Sequence, residues 1–204
     1  MSNVLVVGAH PDDEAIGAGG TLRRHVLDGD TVSAVFLTSG EGGGHGIENP
    51  GETREQEALE AAKIIGISDV QFWHETDGAL RASRVLVDRV ARLITTARAS
   101  TLYAPHHRDD HPDHRAAARI VRQAAGAARR RVEVRYFEIW SPIDEIDLAV
   151  DISEVMDDKL RAIRAYRSQC AVMRFDDAFK GLARYRGEMH SWPGGAYAEV
   201  FSAR

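Results

Sequence analysis

The hydrophobic positions of the chain fall into short unbroken runs that alternate with longer segments of helical spacing. Residues 4–7 (Val-Leu-Val-Val) form a run too short for a helix and closed by Gly8, which predicts a strand buried on both faces. Residues 14–27 then carry apolar side chains at helical spacing (Ile16, Leu22, Val26, Leu27) and stop at Gly29, the pattern of a helix and its terminus. The pair recurs: strands are predicted over 31–38, 70–73 and 101–104, each followed by a helix, over about 53–65, 83–97 and 112–128. Four such units joined by right-handed crossovers predict an α/β chain with a Rossmann-like three-layer α/β/α fold and a mostly parallel, twisted sheet. Beyond them, 132–140 reads as a fifth strand, 148–152 as a shorter sixth and 154–167 as a helix. A further helix is expected over about 176–185, after which Gly187, Pro193, Gly194 and Gly195 interrupt the period. The expected organisation is one domain spanning 1–204, with a core over about 1–152 and a helical cover over about 153–204.

Composition narrows the partners. The 204 residues are 44% hydrophobic and 28% charged, which supports a real core and argues against disorder. Lys and Arg total 26 against 31 Asp and Glu, a net charge of -5, so no positive field recruits nucleic acid or anionic lipid. The lone Cys170 excludes an internal disulfide and a thiolate metal cage, and fits a reducing compartment. No stretch approaches the roughly 18 apolar residues of a membrane span, and the first strand begins without a basic leader. A cytoplasmic protein is expected, without nucleic-acid or membrane partners; association with copies of itself stays open.

The chemistry sits at the strand ends, where open α/β sheets carry their sites. After the first strand a dinucleotide binder would show a glycine fingerprint, but this chain has Gly8-Ala9-His10-Pro11-Asp12-Asp13-Glu14. Three consecutive acids would repel a phosphate and favour a cation. After the fourth strand, residues 106–114 hold four His and three Asp. In the doubly wound order the first and fourth strands are neighbours, so the two clusters face one crevice. Two imidazoles and a carboxylate suit zinc with one position left for water, and His10, Asp13 and His114 are the ligands expected. Such a metal lowers the pKa of water from 15.7 to about 7. Asp12 is then the base that accepts the water proton and passes it to a leaving amine, and His111 the donor to the developing oxyanion. Asp113, or one of Asp109 and Asp110, orients an imidazole from behind. Iron(II) or another divalent ion is an alternative to zinc.

Ala-His-Pro-Asp-Asp-Glu at 9–14 together with His-Pro-Asp-His at 111–114 resembles the PIG-L (LmbE-like) deacetylases, zinc hydrolases that remove an N-acyl group, usually acetyl, from 2-acetamido sugars. Leu37-Thr38-Ser39-Gly40-Glu41, Arg54 with Glu57 and Ala61, Asp151-Ile152-Ser153 with Lys159, Ser168-Gln169, and Tyr197 to Phe201 also fall in the family's order, so the resemblance runs nearly end to end. It implies zinc on His10, Asp13 and His114, Asp12 as base and His111 as polarising imidazole. It also implies Arg54 on substrate hydroxyls and Glu41 near the sugar. Tyr166 stands where members often carry His. The chain is expected to lack the C-terminal extension of the mycothiol-pathway members, an expectation that favours the compact bacillithiol-type or antibiotic-type branches.

The same acids have a structural reading, since Asp12, Asp13 and Asp113 each suit a helix start. The stretch 40–51, with six Gly in twelve residues, is expected to form a lid, from which His45 meets substrate. His190 is expected to reach the sugar from the tail, where Trp192 and Tyr197, with Trp140, are aromatic candidates. The expected activity is removal of an N-acetyl group from a small amino-sugar conjugate. The alternatives are an amidase for larger N-acyl or thiol-conjugate substrates and a metal-binding relative without turnover.

Overall fold

β1 (Asn3–Gly8) lies inside a seven-stranded sheet of order β3-β2-β1-β4-β5-β7-β6. The computed structural model describes residues 1–43, 46–191 and 195–203. β2 (Thr31–Thr38), β3 (Asp69–Glu75), β4 (Thr101–Pro105) and β5 (Glu133–Phe137) join β1 in parallel register. The alternation in β1 explains its unbroken apolar run. Val4 and Val6 face a core built with α1 (Asp13–Leu27), α2 (Pro50–Ile65) and α5 (Met156–Ala165). Leu5 and Val7 face the other, with α3 (Arg84–Thr96) and α4 (Pro112–Ala127). A strand covered on both sides has no polar face to show. β1 pairs with both β2 and β4, so the order reverses between β1 and β4 and the loops that follow them meet.

The C-terminal region departs from the expectation of a helical cover. β7 (Ala198–Ser202) inserts antiparallel between β5 and β6 (Leu148–Asp151), which makes the tail part of the sheet. Its pattern hid it, because all five residues are buried, Glu199 and Ser202 included. The strand expected over 132–140 stops at Phe137, and the helix over 154–167 starts with a 3-10 turn, Ser153–Val155, and ends before Tyr166. A short α6 (Arg167–Cys170) and α7 (Phe175–His190) follow. Gly187 does not interrupt α7: it admits the backbone of Ala196, whose carbonyl oxygen would lie 2.5 Å from a Cβ there. Among the described residues no helix is long and apolar enough to cross a membrane.

Candidate active site

The turn after β1 is wound tightly enough to aim several polar side chains into one cleft. Asp13 opens α1, and its Oδ2 accepts from the amides of Ala9 at 2.7 Å and His10 at 3.1 Å. Its other oxygen, Oδ1, is left facing His114 Nε2 at 3.1 Å and His10 Nδ1 at 3.9 Å. Asp12 precedes the helix with φ 119°, a conformation that disfavours L side chains, and makes no side-chain cap bond. Its carboxylate turns instead to Arg54, whose Nη2 donates to Oδ2 at 2.9 Å. The capping reading therefore fails for Asp12.

His114 enters from the first turn of α4, and His10 Nδ1 lies 3.3 Å from His114 Nε2. The far nitrogen of each ring faces carboxylates. His10 Nε2 is 2.9 Å from Asp77 Oδ1 and 3.3 Å from Asp113 Oδ2, and His114 Nδ1 is 3.0 Å from Asp109 Oδ1. In the neutral rings those far nitrogens carry the protons, so two lone pairs and a carboxylate oxygen converge on one point. That convergence calls for a cation. Tetrahedral ligands at about 2.0–2.2 Å from a metal are about 3.3–3.6 Å apart, and the three separations here bracket that edge. The donor set thus fits a divalent ion. Two other groups come within reach of an ion: His10 with His111 and His114, and His10 with Asp77 and Asp113.

Without an ion, protons carry the positive charge. Burial opposes ionisation of His10, but hydrogen bonds to Asp113 and Asp77 and the charge of Asp13 raise its pKa to about 9. Burial likewise opposes His114, which Asp13 and Asp109 raise to about 10. Asp13 stays well below the usual carboxylate range despite its burial, through His114 and His10. Burial lifts Asp12 to about 6, against the pull of Arg54 and with the push of Asp13. Burial and the charges of His10 and His114 hold His111 low. As the cap of α4, His111 accepts the Asp113 amide at Nδ1, 3.2 Å, which leaves its proton on Nε2.

His10, Asp12, Asp13, His111 and His114 line a cleft of about 300 Å³, at the lower end of small-molecule sites. Arg54 and Asp77 close its polar side, and Trp140 and Phe175, edge to face at 5.9 Å, its apolar side. The expected contacts fare unequally. Arg54 lies in the cleft and gives Nη1 to Gly40 O and Nη2 to Pro11 O and Asp12, which makes it Asp12's partner, while its Nε makes no hydrogen bond. Glu41 does not line the cleft; its Oε1 accepts from the Asp77 amide at 2.9 Å. His190 ends α7 on the surface, 3.0 Å from Arg186 Nη1, and is not a cleft residue. His45 and Trp192 lie outside the described residues. Asp110 is corrected by its neighbour: the turn after β4 sends Asp110 to solvent and buries Asp109 against His114. Asp113 is buried at His10, its oxygens also taking the amides of Gly78 and Leu80.

Asp77 and Phe175 were missed. The signal for Asp77 was an Asp-Gly turn at the carboxyl end of a strand beside the crevice. Glu14, the last acid of the first motif, is fully buried and does not line the cleft. Its Oε1 accepts from Tyr166 Oη at 2.6 Å and its Oε2 from the Asp12 amide at 3.3 Å.

Fold and site together are those of a metal-dependent hydrolase. The model of the GlcNAc-PI de-N-acetylase family, PIG-L, matches residues 5–125. The chain is 33% identical over 191 residues to the probable N-acetyl-alpha-D-glucosaminyl L-malate deacetylase 2 of Bacillus cereus, covering 85% of this chain and 86% of that protein. It is 28% identical over 225 residues to the diacetylchitobiose deacetylase of Thermococcus kodakarensis, covering 98% and 82%. A conserved protein of Thermus thermophilus superposes with a TM-score of 0.89 at 32% identity, covering 100% of this chain and 94% of that one. The chain belongs to the PIG-L family and is an N-deacetylase.

Proposed function

We propose that the chain is a zinc-dependent hydrolase that removes the acetyl group from a 2-acetamido sugar or a small conjugate of one. His10, Asp13 and His114 hold the ion in this reading. Bound there, zinc supplies a Lewis acid and a water of lowered pKa. The observation that carries the reading is the convergence of His10 Nδ1, His114 Nε2 and Asp13 Oδ1 on one point.

The remaining groups divide the work. Asp12, with a pKa near 6, is ionised at neutral pH and takes the proton that water gives up as its oxygen bonds to the acetamide carbon. His111, neutral and protonated at Nε2, donates to the carbonyl oxygen as negative charge builds there. Asp12 then returns its proton to the nitrogen, the C–N bond breaks, and acetate and a free amine leave. Trp140 and Phe175 offer the apolar face against which a sugar ring stacks. The relatives' names favour a glucosamine-type amine as the product.

The test is an amine-release screen over N-acetylglucosamine, its malate glycoside and diacetylchitobiose, with and without a chelator. Release from at least one substrate, lost on chelation and restored by zinc, is the expected result. Release that survives complete removal of metal contradicts the reading.

A further inference from the structure

Midway along α1 the helix is gripped by two side chains from the C-terminal half of the protein. α1 runs unbroken over Asp13–Leu27, and in such a helix the amides of residues 20 and 21 face the carbonyls of residues 16 and 17. Here Gly20 N donates to Glu199 Oε1 at 3.0 Å and Thr21 N to Glu199 Oε2 at 2.7 Å. Lys159 Nζ donates to the carbonyl of Ile16 at 2.6 Å and also to Glu199 Oε1. One ammonium from α5 and one carboxylate from β7 thus hold three backbone groups of α1. Lys159 is 2% exposed and Glu199 5%, and neither lines the cleft.

The sequence of α1 makes such a grip consequential. Gly17, Gly19 and Gly20 weaken the helix where it is held, since glycine is among the poorest helix formers. Two of them have a packing reason: a Cβ at Gly17 would lie 2.1 Å from the Phe137 ring, and one at Gly20 2.8 Å from Ile152. A helix that is intrinsically soft and pressed onto the sheet takes its course from its braces. A buried ion pair is a poor source of stability, because apolar side chains of similar volume serve as well or better. It does supply direction, by placing oxygens and a nitrogen at fixed points along the backbone.

Asp13 is the first residue of this helix, and Ile16 lies three residues on, about 4.5 Å of helical rise. His114 stands on a different helix, on the other face of the sheet, so a shift of α1 changes the Asp13 to His114 separation directly. We infer that Lys159 and Glu199 are positioning residues: by bracing α1 they place Asp12 and Asp13 against His10 and His114. The inference rests on the metal reading above.

Zinc affinity of the wild-type protein, by chelator competition, is measured first; a wild type that binds no divalent ion removes both readings together. Glu199→Gln and Lys159→Met are then compared with Ile94→Ala, a cut in the core on the opposite face of the sheet. The brace variants are expected to lose about tenfold or more in zinc affinity, as residues that orient ligands do. They are also expected to change the visible spectrum of the cobalt-substituted protein and to lower kcat with little change in KM. Ile94→Ala is expected to lower Tm while keeping zinc affinity and the cobalt spectrum. Brace variants that lose only Tm, with wild-type zinc affinity and spectrum, overturn the inference. If neither folds, hydrogen exchange on the wild type decides, because coupling is reciprocal. Zinc must then slow exchange at the amides of Gly20 and Thr21 while leaving α3 unchanged; unchanged rates at those two amides overturn it equally.

Discussion

Arg54 Nη2 lies 2.9 Å from Asp12 Oδ2, with both side chains buried on the floor of the cleft. A guanidinium in the first turns of a helix opposes the macrodipole, and this contact is what it gains. Without it, a carboxylate held at φ 119° in a buried turn would have burial and the charge of Asp13 against it.

The pH profile of the reaction follows from that pair. Burial raises Asp12 and Arg54 lowers it, to a net value of about 6, so a base there works above that pH. Arg54→Met removes the largest of the lowering influences, leaving those of His10 and His114. The acid limb of kcat/KM should move to higher pH by about 1–3 units, the range for loss of an adjacent opposite charge. An unmoved limb would show that Asp12 is not the group titrating.

Asp12→Asn should leave the three ion-holding side chains as they are while removing the proton acceptor. Metal content by atomic absorption is expected to match the wild type, and acetate release to fall by about 10²–10⁴-fold. Retained turnover would contradict the base assignment, and lost metal would mean that Asp12 is itself a ligand.

Asp109 and Asp110 offer a matched pair of variants. Asp109 Oδ1 is 3.0 Å from His114 Nδ1, whereas Asp110 is exposed. Asp109→Asn should weaken zinc binding by about 10–100-fold, and Asp110→Asn should leave it unchanged. Equal effects from the two would refute the orienting role of Asp109.

Metal uptake should displace protons. In the metal-free fold the neighbouring carboxylates raise His10 to about 9 and His114 to about 10, so the pair carries protons at pH 7 that zinc must release. Calorimetry in buffers of different ionisation enthalpy counts them. The same shifts set the stability of the metal-free form. Both pKa values are raised above the unfolded value of 6.5, so their contribution is full below pH 6.5 and is lost as pH climbs through 9 to 10. Zinc-loaded protein should not show that alkaline loss in Tm.

Much of this was legible in the sequence, for identifiable reasons. The first four strand-helix units announce themselves because a strand covered on both faces has no polar positions to blur its run, as in residues 4–7. The ligand candidates were legible because His and Asp crowd two strand ends that the fold brings together. Adjacent acids were not separable: nothing in Asp109-Asp110 says which one the turn will bury. β7 escaped notice because Glu199 sits buried inside it, a carboxylate spent on helix amides that lie far away in sequence. Glu41 is expected near the sugar from the resemblance and His190 from its place in the glycine-broken tail, and only the folded loops reveal that Glu41 secures Asp77 and His190 lies outside the cleft.

Crystallographic or spectroscopic occupancy of the ion position tests the central claim most directly. Protein loaded with one equivalent of zinc should show a single tetrahedral site with two nitrogen ligands and one carboxylate from His10, His114 and Asp13, and a fourth, exchangeable oxygen facing Asp12. Zinc bound elsewhere, or held by six protein ligands with no exchangeable position, would contradict it.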